Sequence, residues 1–332
     1  MRRSVLITAA SRRVPLVQAF RKALADTGGG RVVVADVNAM SPAVHVADAA
    51  FQVPLATDPG YVEALETICR THHVGLLVPT IDDELEVIGE ARQRLEHLGI
   101  SVAASPTATA AICNDKLRTS QVLRDHGIPA AESWLPGEVP VHAAFPLFVK
   151  PRNGRGGIGA FSVRTRRELE FFTEYVDRPV VQEYLEGPEF TIDMLCNEGR
   201  PLAVVPRERV VIRAGVMDRG RTVRDRGLID LALACAAALE FHGPVNIQCR
   251  TLRGVPTVFE INPRFSGGIP LTIAAGGDFP RMLVDLARGR VVASRIGHFK
   301  DGLWMTSYEA GIFLPAERAV FPQTPSVIQE VA

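Results

Sequence analysis

The sequence predicts an α/β fold that opens with a small doubly wound domain and continues into mixed helices and strands. Up to about residue 106, short apolar runs alternate with segments of helical period, a pattern typical of a parallel sheet covered by helices. From Pro106 the pattern changes, and the segment PVNIQCRTLRGVPTVFEINPRFSGG predicts a β-hairpin. The length of 332 residues suits roughly two or three domains.

The first domain is predicted to alternate strands and helices. The apolar run at 4–9 predicts a strand, and the segment after it predicts a helix with one apolar face. That face carries Leu16, Val17, Phe20 and Leu24. Further elements are a strand at RVVVADVN, a helix at YVEALETICRTHH, a strand at VGLLVPT, a helix at about 84–98 and a strand at ISVAAS. Ligands of such sheets bind beyond the carboxyl ends of the strands, which here are 9–13, 36–38 and 80–84.

The first loop, TAASRR, argues against a dinucleotide site. It lacks the glycines that let a pyrophosphate approach the N-terminus of a helix. Asp36, after the second strand, binds a ribose hydroxyl, caps the loop or serves the substrate crevice. The loops at 11–13 and 80–84 are further candidates for substrate contact.

Composition limits the partners and the compartment. The chain has 37 basic and 37 acidic side chains, so it has no overall attraction to nucleic acid or anionic lipid and any anion site must be local. The five widely spaced cysteines indicate reduced thiols rather than disulfides or zinc ligands. We find no signal peptide and no apolar run long enough for a membrane span, and therefore expect a cytoplasmic protein.

The second part of the chain contains further elements. We expect a helix near NDKLRTSQVLRDHG that ends at Gly127, a Pro-rich linker, a strand at FPLFVKP and a glycine loop at 153–159. A helix, two apolar runs interrupted at 186–188, an arginine-rich strand and loop, an Ala/Leu-rich helix and the hairpin follow. The segment EYLEGPE at 183–189 offers exposed backbone polar groups near 183–185 and two carboxylates after them, and an ordinary surface turn is the alternative.

The glycine loop follows a strand that ends at Lys150. Its backbone can approach a ligand closely and offer several N–H donors to an anion. An ordinary hairpin turn is the alternative, and the loop does not fit the Walker pattern because no GK[ST] closes it.

The hairpin carries a candidate magnesium site. If its turn centres on Gly254, Gln248 lies opposite Glu260. Asn262 shares the face of Glu260, while Ile261 points into the core. These oxygen ligands, with room for water and phosphate, suit Mg²⁺. A solvated polar face is the alternative, but Val258, at a same-face position, is not charged.

The arginine-rich strand predicts a second anion site. Residues 207, 209 and 213 have the same parity, so an extended strand would present Arg207, Arg209 and Arg213 on one face to a carboxylate or phosphate. A solvated edge is the alternative. We also hypothesise that the segment 214–226 is a mobile loop that becomes ordered over bound substrate.

The order of these motifs resembles the ATP-grasp superfamily, in particular the large subunit of carbamoyl-phosphate synthase and related amino-acid ligases. The resemblance covers roughly residues 1–315, and FVKP, NGRGGIG, VVQEYLEG and VFEINPRFSGG carry it most strongly. It implies a Rossmann-like pre-ATP-grasp domain at 1–110 and an ATP-grasp domain of two α+β subdomains at 111–315. These are a nucleotide-binding lid at about 118–190 and a catalytic subdomain at about 191–315, followed by a tail at 316–332.

The resemblance also implies site residues. For ATP these are Lys116, Lys150, Asn153, Gly154, Gly156, Gly157, Ile158, Gly159, Glu183, Tyr184, Leu185 and Glu189. The metal set is Gln248, Glu260 and Asn262, and the catalytic residues are Lys150, Arg213 and Arg264. Substrate contacts are Arg207, Arg209, Arg213, Ser266, Gly267 and Gly268. Two of only four lysines thus fall at positions that resemble phosphate contacts.

The activity that the resemblance implies is an ADP-forming carboxylate–amine ligase. It would use ATP and Mg²⁺, or Mn²⁺, form an acyl phosphate, and join amino acids or similar small acids and amines. The alternatives are phosphorylation of bicarbonate or carbamate, as in carbamoyl-phosphate synthase, and a non-catalytic ATP-binding sensor or scaffold. We expect small-molecule substrates, no nucleic-acid or membrane partner, and leave a homodimer open.

Overall fold

The N-terminal part is a parallel sheet with helices between its strands. The computed structural model describes residues 4–154, 157–213, 215–316 and 319. The first elements are β1 (Ser4–Thr8), α1 (Val14–Thr27), β2 (Val32–Asp36), β3 (Ala49–Gln52), α2 (Tyr61–Thr71), β4 (Val74–Val78), α3 (Leu85–His97) and β5 (Ser101–Val102), with 3₁₀ turns at Pro42–His45 and Asp82–Glu84. The strand order is β3-β2-β1-β4-β5, which confirms the predicted doubly wound layer. Strand β3 was missed because AAFQ is short.

Apolar side chains cover both faces of this sheet. The predicted apolar face of α1 is buried at all four positions. It belongs to a core that also contains residues from the C-terminal part of the chain, and the rings of Phe20 and Phe265 meet edge to face with centroids 6.0 Å apart. The parallel sheet is therefore anchored to the rest of the molecule by a shared core.

The middle of the chain forms a small antiparallel sheet with its own core. Its elements are α4 (Thr107–Asn114), α5 (Lys116–Asp125), β6 (Ser133–Trp134), β7 (Leu147–Pro151), β8 (Phe161–Val163), α6 (Arg166–Tyr175) and β9 (Pro179–Glu183), with a 3₁₀ turn at Pro136–Glu138. The strand order is β6-β9-β7-β8. The predicted helix near 114–127 corresponds to α5, while α4 was not predicted.

The C-terminal part is a six-stranded antiparallel sheet. Its elements are β10 (Glu189–Asn197), β11 (Arg200–Arg213), β12 (Val216–Thr222), α7 (Arg226–Ala238), β13 (Gly243–Leu252), β14 (Val255–Asn262), α8 (Ile269–Ala274), α9 (Phe279–Ala287) and β15 (Trp304–Thr306). The order is β14-β13-β10-β11-β12-β15. Most of the segment predicted as the loop 214–226 is strand β12, which pairs with β11 and β15, so the loop assignment is wrong. Its ordering over bound substrate stays a prediction.

The hairpin of β13 and β14 contains a bulge that shifts its register by one residue. The turn consists of Arg253 and Gly254, both with positive φ, rather than being centred on Gly254 alone. The register then shifts, because Phe259 is an extra residue between two ladder pairs. Gln248 consequently lies opposite Glu260, as predicted.

The bulge overturns the prediction for Val258. Without it, Val258 and Glu260 would share a face. Instead Val258 pairs with Cys249 and lies in the same buried core as Ile261. The absence of charge at Val258 therefore carries no information about the face of Glu260.

No helix in the described ranges has both the length and the apolar character needed to cross a bilayer.

Candidate active site

A cavity of about 860 Å³ is lined by residues from both antiparallel sheets and by Arg13 of the N-terminal domain. Its basic lining residues are Arg13, Lys116, Lys150, Arg207, Arg209, Arg250 and Arg264, and its acidic ones are Glu183, Glu189 and Glu260. Basic residues thus outnumber acidic residues in the lining of a chain with no net charge. This local excess of basic side chains fits the expectation that any anion site of this chain is local.

The two predicted phosphate-contacting lysines approach the same carboxylate. Lys150 is buried on β7, where its ammonium donates to Gln182 Oε1 at 2.7 Å and to the carbonyl of the bulged residue Phe259 at 3.3 Å. Lys116 Nζ lies 3.5 Å from Glu260 Oε1 and donates to the Gly154 carbonyl at 2.7 Å. Burial lowers the pKa of Lys150 to about 8, against the opposing attraction of Glu260.

The start of α5 positions Lys116. Asp115 caps this helix by accepting from the backbone N–H groups of Leu117 and Arg118. The same carboxylate binds Arg152, just beyond β7, at 2.6 to 2.9 Å. This contact ties the helix start to the strand that carries Lys150, so both lysines are held in one framework.

The predicted nucleotide hinge lines the cavity at Glu183, Tyr184 and Leu185. The backbone N–H of Glu183 donates to Glu132 at 2.8 Å, which fixes the end of β9. Glu189, the predicted ribose carboxylate, is held by Arg250 at 2.6 Å and by Arg209 at 2.7 Å. These two arginines fix the orientation of its carboxylate.

The predicted metal residues Gln248, Glu260 and Asn262 lie together in the cavity lining. Asn262 Oδ1 accepts from Arg264 at 3.1 Å, and Gln248 Oε1 accepts from Arg209 at 3.3 Å. Within the described ranges there is no cluster of three or more His, Cys, Asp or Glu residues suited to a metal. The set offers one carboxylate and two amide oxygens, and this donor chemistry fits Mg²⁺.

Arg264 joins the two parts of the molecule. Its Nε and Nη2 atoms donate to Asp82 Oδ2 at 3.0 and 2.7 Å, and both side chains are largely buried. Asp82 follows β4, so the predicted loop at 80–84 does reach the cavity through this pair. The nearby Asp36 accepts from the backbone N–H groups of Ser11 and Asn38, which supports the capping alternative for that residue.

Arg207 occupies a supporting position beneath the predicted substrate loop. It is 1% exposed, and its guanidinium donates to Asp193 at 2.8 Å and to Ser266 Oγ at 2.9 Å. A Cβ on Gly268 would overlap Arg207 Nη1, so the loop lies directly on this arginine. Its contact with substrate stays a prediction.

The prediction that three arginines share one face is wrong at Arg213. The register of β11 and β12 shifts on both sides of Val211, which leaves Val210 of β11 and Asp218 of β12 without ladder partners. Beyond this bulge the alternation is reversed, and Ile212 rather than Arg213 lines the cavity. Arg213 is 57% exposed and pairs with Asp218 and Glu309.

Three residues of the predicted glycine flap are not among the described residues that line the cavity. Asn153 donates to the Asn114 carbonyl and accepts from Arg178, and neither it nor Gly159 is part of the described lining. Gly156 lies outside the described residues. Gly154, Gly157 and Ile158 do line the cavity.

Sequence reasoning missed several lining residues. Asn246 and Arg250 have the same parity on β13 as Gln248, so strand alternation could have identified them. Asn246 lies opposite Asn262, and Asn246 Oδ1 and Asn262 Nδ2 are buried without a hydrogen-bond partner in the described part of the chain. Gln182, a polar residue in the apolar strand β9, could have been recognised as the partner of a buried group.

Comparisons with known proteins agree with this architecture. Residues 5–103 match the family model described as PylC-like, N-terminal domain. Residues 176–310 match the model described as ATP-grasp in the biosynthetic pathway with Ter operon.

Two curated proteins illustrate the sequence similarity. The carbamoyl phosphate synthase large chain of Thermoanaerobacter sp. (strain X514) is 25% identical over 229 residues, which are 62% of this chain and 21% of the synthase chain. The D-alanine–D-alanine ligase of Pseudomonas entomophila (strain L48) is 35% identical over 123 residues, which are 34% of this chain and 39% of the ligase. The matches therefore span well under half of either relative.

Two solved structures show the same fold at low identity. The L-amino acid ligase from Bacillus licheniformis has a TM-score of 0.70 at 18% identity, covering 90% of this chain and 77% of the ligase. The biotin carboxylase domain of the Hydrogenobacter thermophilus 2-oxoglutarate carboxylase, in complex with MgADP, ADP and bicarbonate, has a TM-score of 0.70 at 16% identity, covering 91% and 73%.

The fold and the cavity define an α/β protein whose two antiparallel sheets enclose a basic site. The matches identify a segment similar to ATP-grasp domains at residues 176–310, which follows a PylC-like N-terminal segment at residues 5–103.

Proposed function

We propose that the protein is an ATP- and Mg²⁺-dependent carboxylate–amine ligase that forms ADP and acts on amino acids or similar small acids and amines. One observation carries the proposal: two lysines, a glutamate, an asparagine and an arginine converge on one cavity. These residues are Lys116, Lys150, Glu260, Asn262 and Arg264. A site that only binds nucleotide needs no metal set, so this combination favours phosphoryl transfer over a sensor.

The proposed reaction begins with the substrate carboxylate. One of its oxygens attacks the γ-phosphorus of ATP, the bond from that phosphorus to the bridging oxygen breaks, and ADP leaves with the electron pair. The amine nitrogen then attacks the acyl carbon, phosphate leaves, and the nitrogen loses a proton. Phosphoryl transfer of this kind depends mainly on positioning and charge stabilisation.

The residues of the cavity supply those two effects. Lys116 and Lys150 would neutralise the nucleotide phosphates, and Arg264, oriented by Asp82, would face the transferred phosphoryl group. Glu260, Asn262 and Gln248 would hold Mg²⁺, which supplies charge neutralisation to phosphate oxygens when bound. The Hydrogenobacter carboxylase domain, a structural neighbour, was obtained with MgADP, which supports this choice of nucleotide and metal.

An assay of ADP and phosphate release tests the proposal. Wild-type protein is incubated with Mg²⁺, ATP and single amino acids or pairs of amino acids, and products are identified by mass spectrometry. We expect ADP and an amide product in equal amounts, dependent on an amino acid. ADP formation that depends only on bicarbonate would favour the carbamoyl-phosphate route, and ATP binding without any substrate-dependent ADP would favour a sensor.

Location and assembly are further parts of the proposal. A cytoplasmic location is supported by the five cysteines, which are all free and buried. A homodimer stays a prediction, and sedimentation of the purified chain would test it.

A further inference from the structure

The bulge in β11 places an apolar residue where an arginine was predicted. Arg207 and Arg209 face the cavity, but after the unpaired Val210 the next residue of the inward face is Ile212. Ile212 lies opposite Met217 of β12, and both line the cavity. The end of this hairpin therefore presents apolar carbon, not a guanidinium, to the site.

A third apolar side chain, Val216, completes this surface beside the predicted substrate loop. A Cβ added to Gly267 would lie 2.9 Å from Val216 Cγ1, and one added to Gly268 would lie 3.1 Å from Met217 Cε. The loop Ser266–Gly268 is a predicted substrate contact, and the backbone N–H groups of a glycine-rich loop suit a carboxylate. We call Ile212, Val216 and Met217 the apolar wall, which thus lies next to the predicted carboxylate position.

A buried arginine of the cavity holds the hairpin turn that carries the apolar wall. Arg209, whose side chain is 6% exposed, donates to the carbonyl of Gly215 at the hairpin turn at 2.7 Å. Within the wall, Met217 is buried, whereas Ile212 is 41% exposed and Val216 is 39% exposed. Two half-exposed branched side chains in a charged cavity retain apolar surface that a ligand could cover favourably.

We infer that the amino-acid substrate of this site carries an apolar side chain, which packs against Ile212 and Val216 while its carboxylate faces Ser266–Gly268. This inference rests on the proposed function and adds the class of substrate. Bicarbonate has no side chain to cover the wall, and an acidic side chain placed against Ile212 and Val216 would lose hydration there. The site should therefore prefer leucine or methionine over glycine and aspartate.

The selectivity of the wild type and of two wall variants tests the inference. The measured quantity is the ratio of kcat/KM for leucine to kcat/KM for glycine in the ADP-release assay. We expect Ile212→Ala and Val216→Ala each to lower this ratio by about tenfold, because removed carbons in an apolar pocket typically cost ~10-fold or more in discrimination. Val210→Ala is the matched control, since Val210 is 48% exposed on the same strand and absent from the described lining.

The outcomes separate the inference from the proposed function. If amino acids support ADP formation but leucine is no better than glycine, or if the wall variants leave the ratio unchanged, the inference is wrong while the ligase proposal stands. If no amino acid supports ADP formation, the ligase proposal fails. Calorimetric binding of leucine in the presence of Mg²⁺ and a non-hydrolysable ATP analogue then decides the inference. Binding that Ile212→Ala weakens and Val210→Ala leaves unchanged would support it, and any other result would overturn it.

Discussion

The hairpins β11–β12 and β13–β14 lie in the same sheet and both contain bulges, but the bulges have opposite consequences for the site. In β14, the bulge at Phe259 brings Glu260 opposite Gln248 and keeps Glu260 and Asn262 in the cavity lining. In β11, the bulge at Val210 turns Arg213 away from the cavity and brings Ile212 in. One extra residue preserves a predicted polar site, and the other replaces a predicted polar site with an apolar one.

Alternation along a strand therefore indicates the direction of side chains only between bulges. A bulge reverses which side chains face the cavity for every residue beyond it. The polar hairpin would serve the phosphate and metal chemistry, and the apolar hairpin would serve the choice of substrate. Four measurements test this division of roles between the two hairpins.

The largest effect is expected at Glu260. Glu260→Ala should lower substrate-dependent ADP release by ~10²–10³-fold, as is typical when one group that stabilises transition-state charge is removed. The protein should stay folded, which circular dichroism would check. Near wild-type turnover in a folded variant would contradict the role assigned to the polar hairpin, whereas lost stability with intact turnover would indicate that Glu260 only supports the strand.

A second prediction compares glycines of the two hairpins. A Cβ on Gly220 of β12 would overlap the Glu208 carbonyl and the Met217 side chain, so Gly220→Ala should lower the free energy of unfolding by about 3 kcal/mol. Gly254, with φ of +84°, has open space around it, so Gly254→Ala should cost only the left-handed strain of about 1 kcal/mol. Urea denaturation of both variants measures the difference. Equal losses would show that β12 is not packed as tightly as described.

A third prediction concerns the lysine that contacts the bulge of β14. Burial lowers the pKa of Lys150 to about 8, so its ammonium is charged below that pH and neutral above it. Affinity for a non-hydrolysable ATP analogue should therefore fall as pH rises, by about tenfold between pH 7.5 and 9.5 if one charge is lost. Calorimetry of the wild type measures this slope. Lys150→Met should bind more weakly and show a flat profile over the same range, and a slope that persists in that variant would assign the titration to another group.

The smallest effect is expected at Arg213. Because the bulge directs it outward to Asp218 and Glu309, Arg213→Ala should change turnover by less than about twofold, as an exposed ion pair contributes little. The ADP-release assay measures this directly. A loss approaching that of Glu260→Ala would restore the predicted catalytic role of Arg213 and contradict the described register.

Much of the fold was predictable because it follows from periodicity. The spacing of apolar residues predicts the apolar face of α1 and the strands of the parallel sheet. The pairing of Gln248 with Glu260 was predicted by counting residues back from the turn. That count assumed a turn centred on one residue and no bulge. The observed two-residue turn and the bulge at Phe259 offset each other, so the pairing was right although both assumptions were wrong.

The remainder depends on tertiary packing that local patterns do not encode. VVIR alternates equally well with or without an unpaired valine, so Val210 gave no sign of a bulge. The pair between Asp82 and Arg264 joins residues 182 positions apart, and no local signal connects them. The segment 216–222 contains three charged residues, a glycine and little apolar alternation, and it becomes a strand only because β11 and β15 flank it.

The position of Arg209 has a thermodynamic consequence for the cavity as a whole. Its guanidinium contacts Glu189, Gln248 and the Gly215 carbonyl, and arginine keeps its charge throughout the physiological pH range. The predicted ribose contact, the predicted metal ligand and the hairpin that carries the apolar wall therefore share one permanent cation. A ligand that changes the contact of Arg209 with Glu189 therefore changes the affinity of the Gln248 site or of the apolar wall for a second ligand. Linkage requires the second ligand to change the affinity for the first by the same factor.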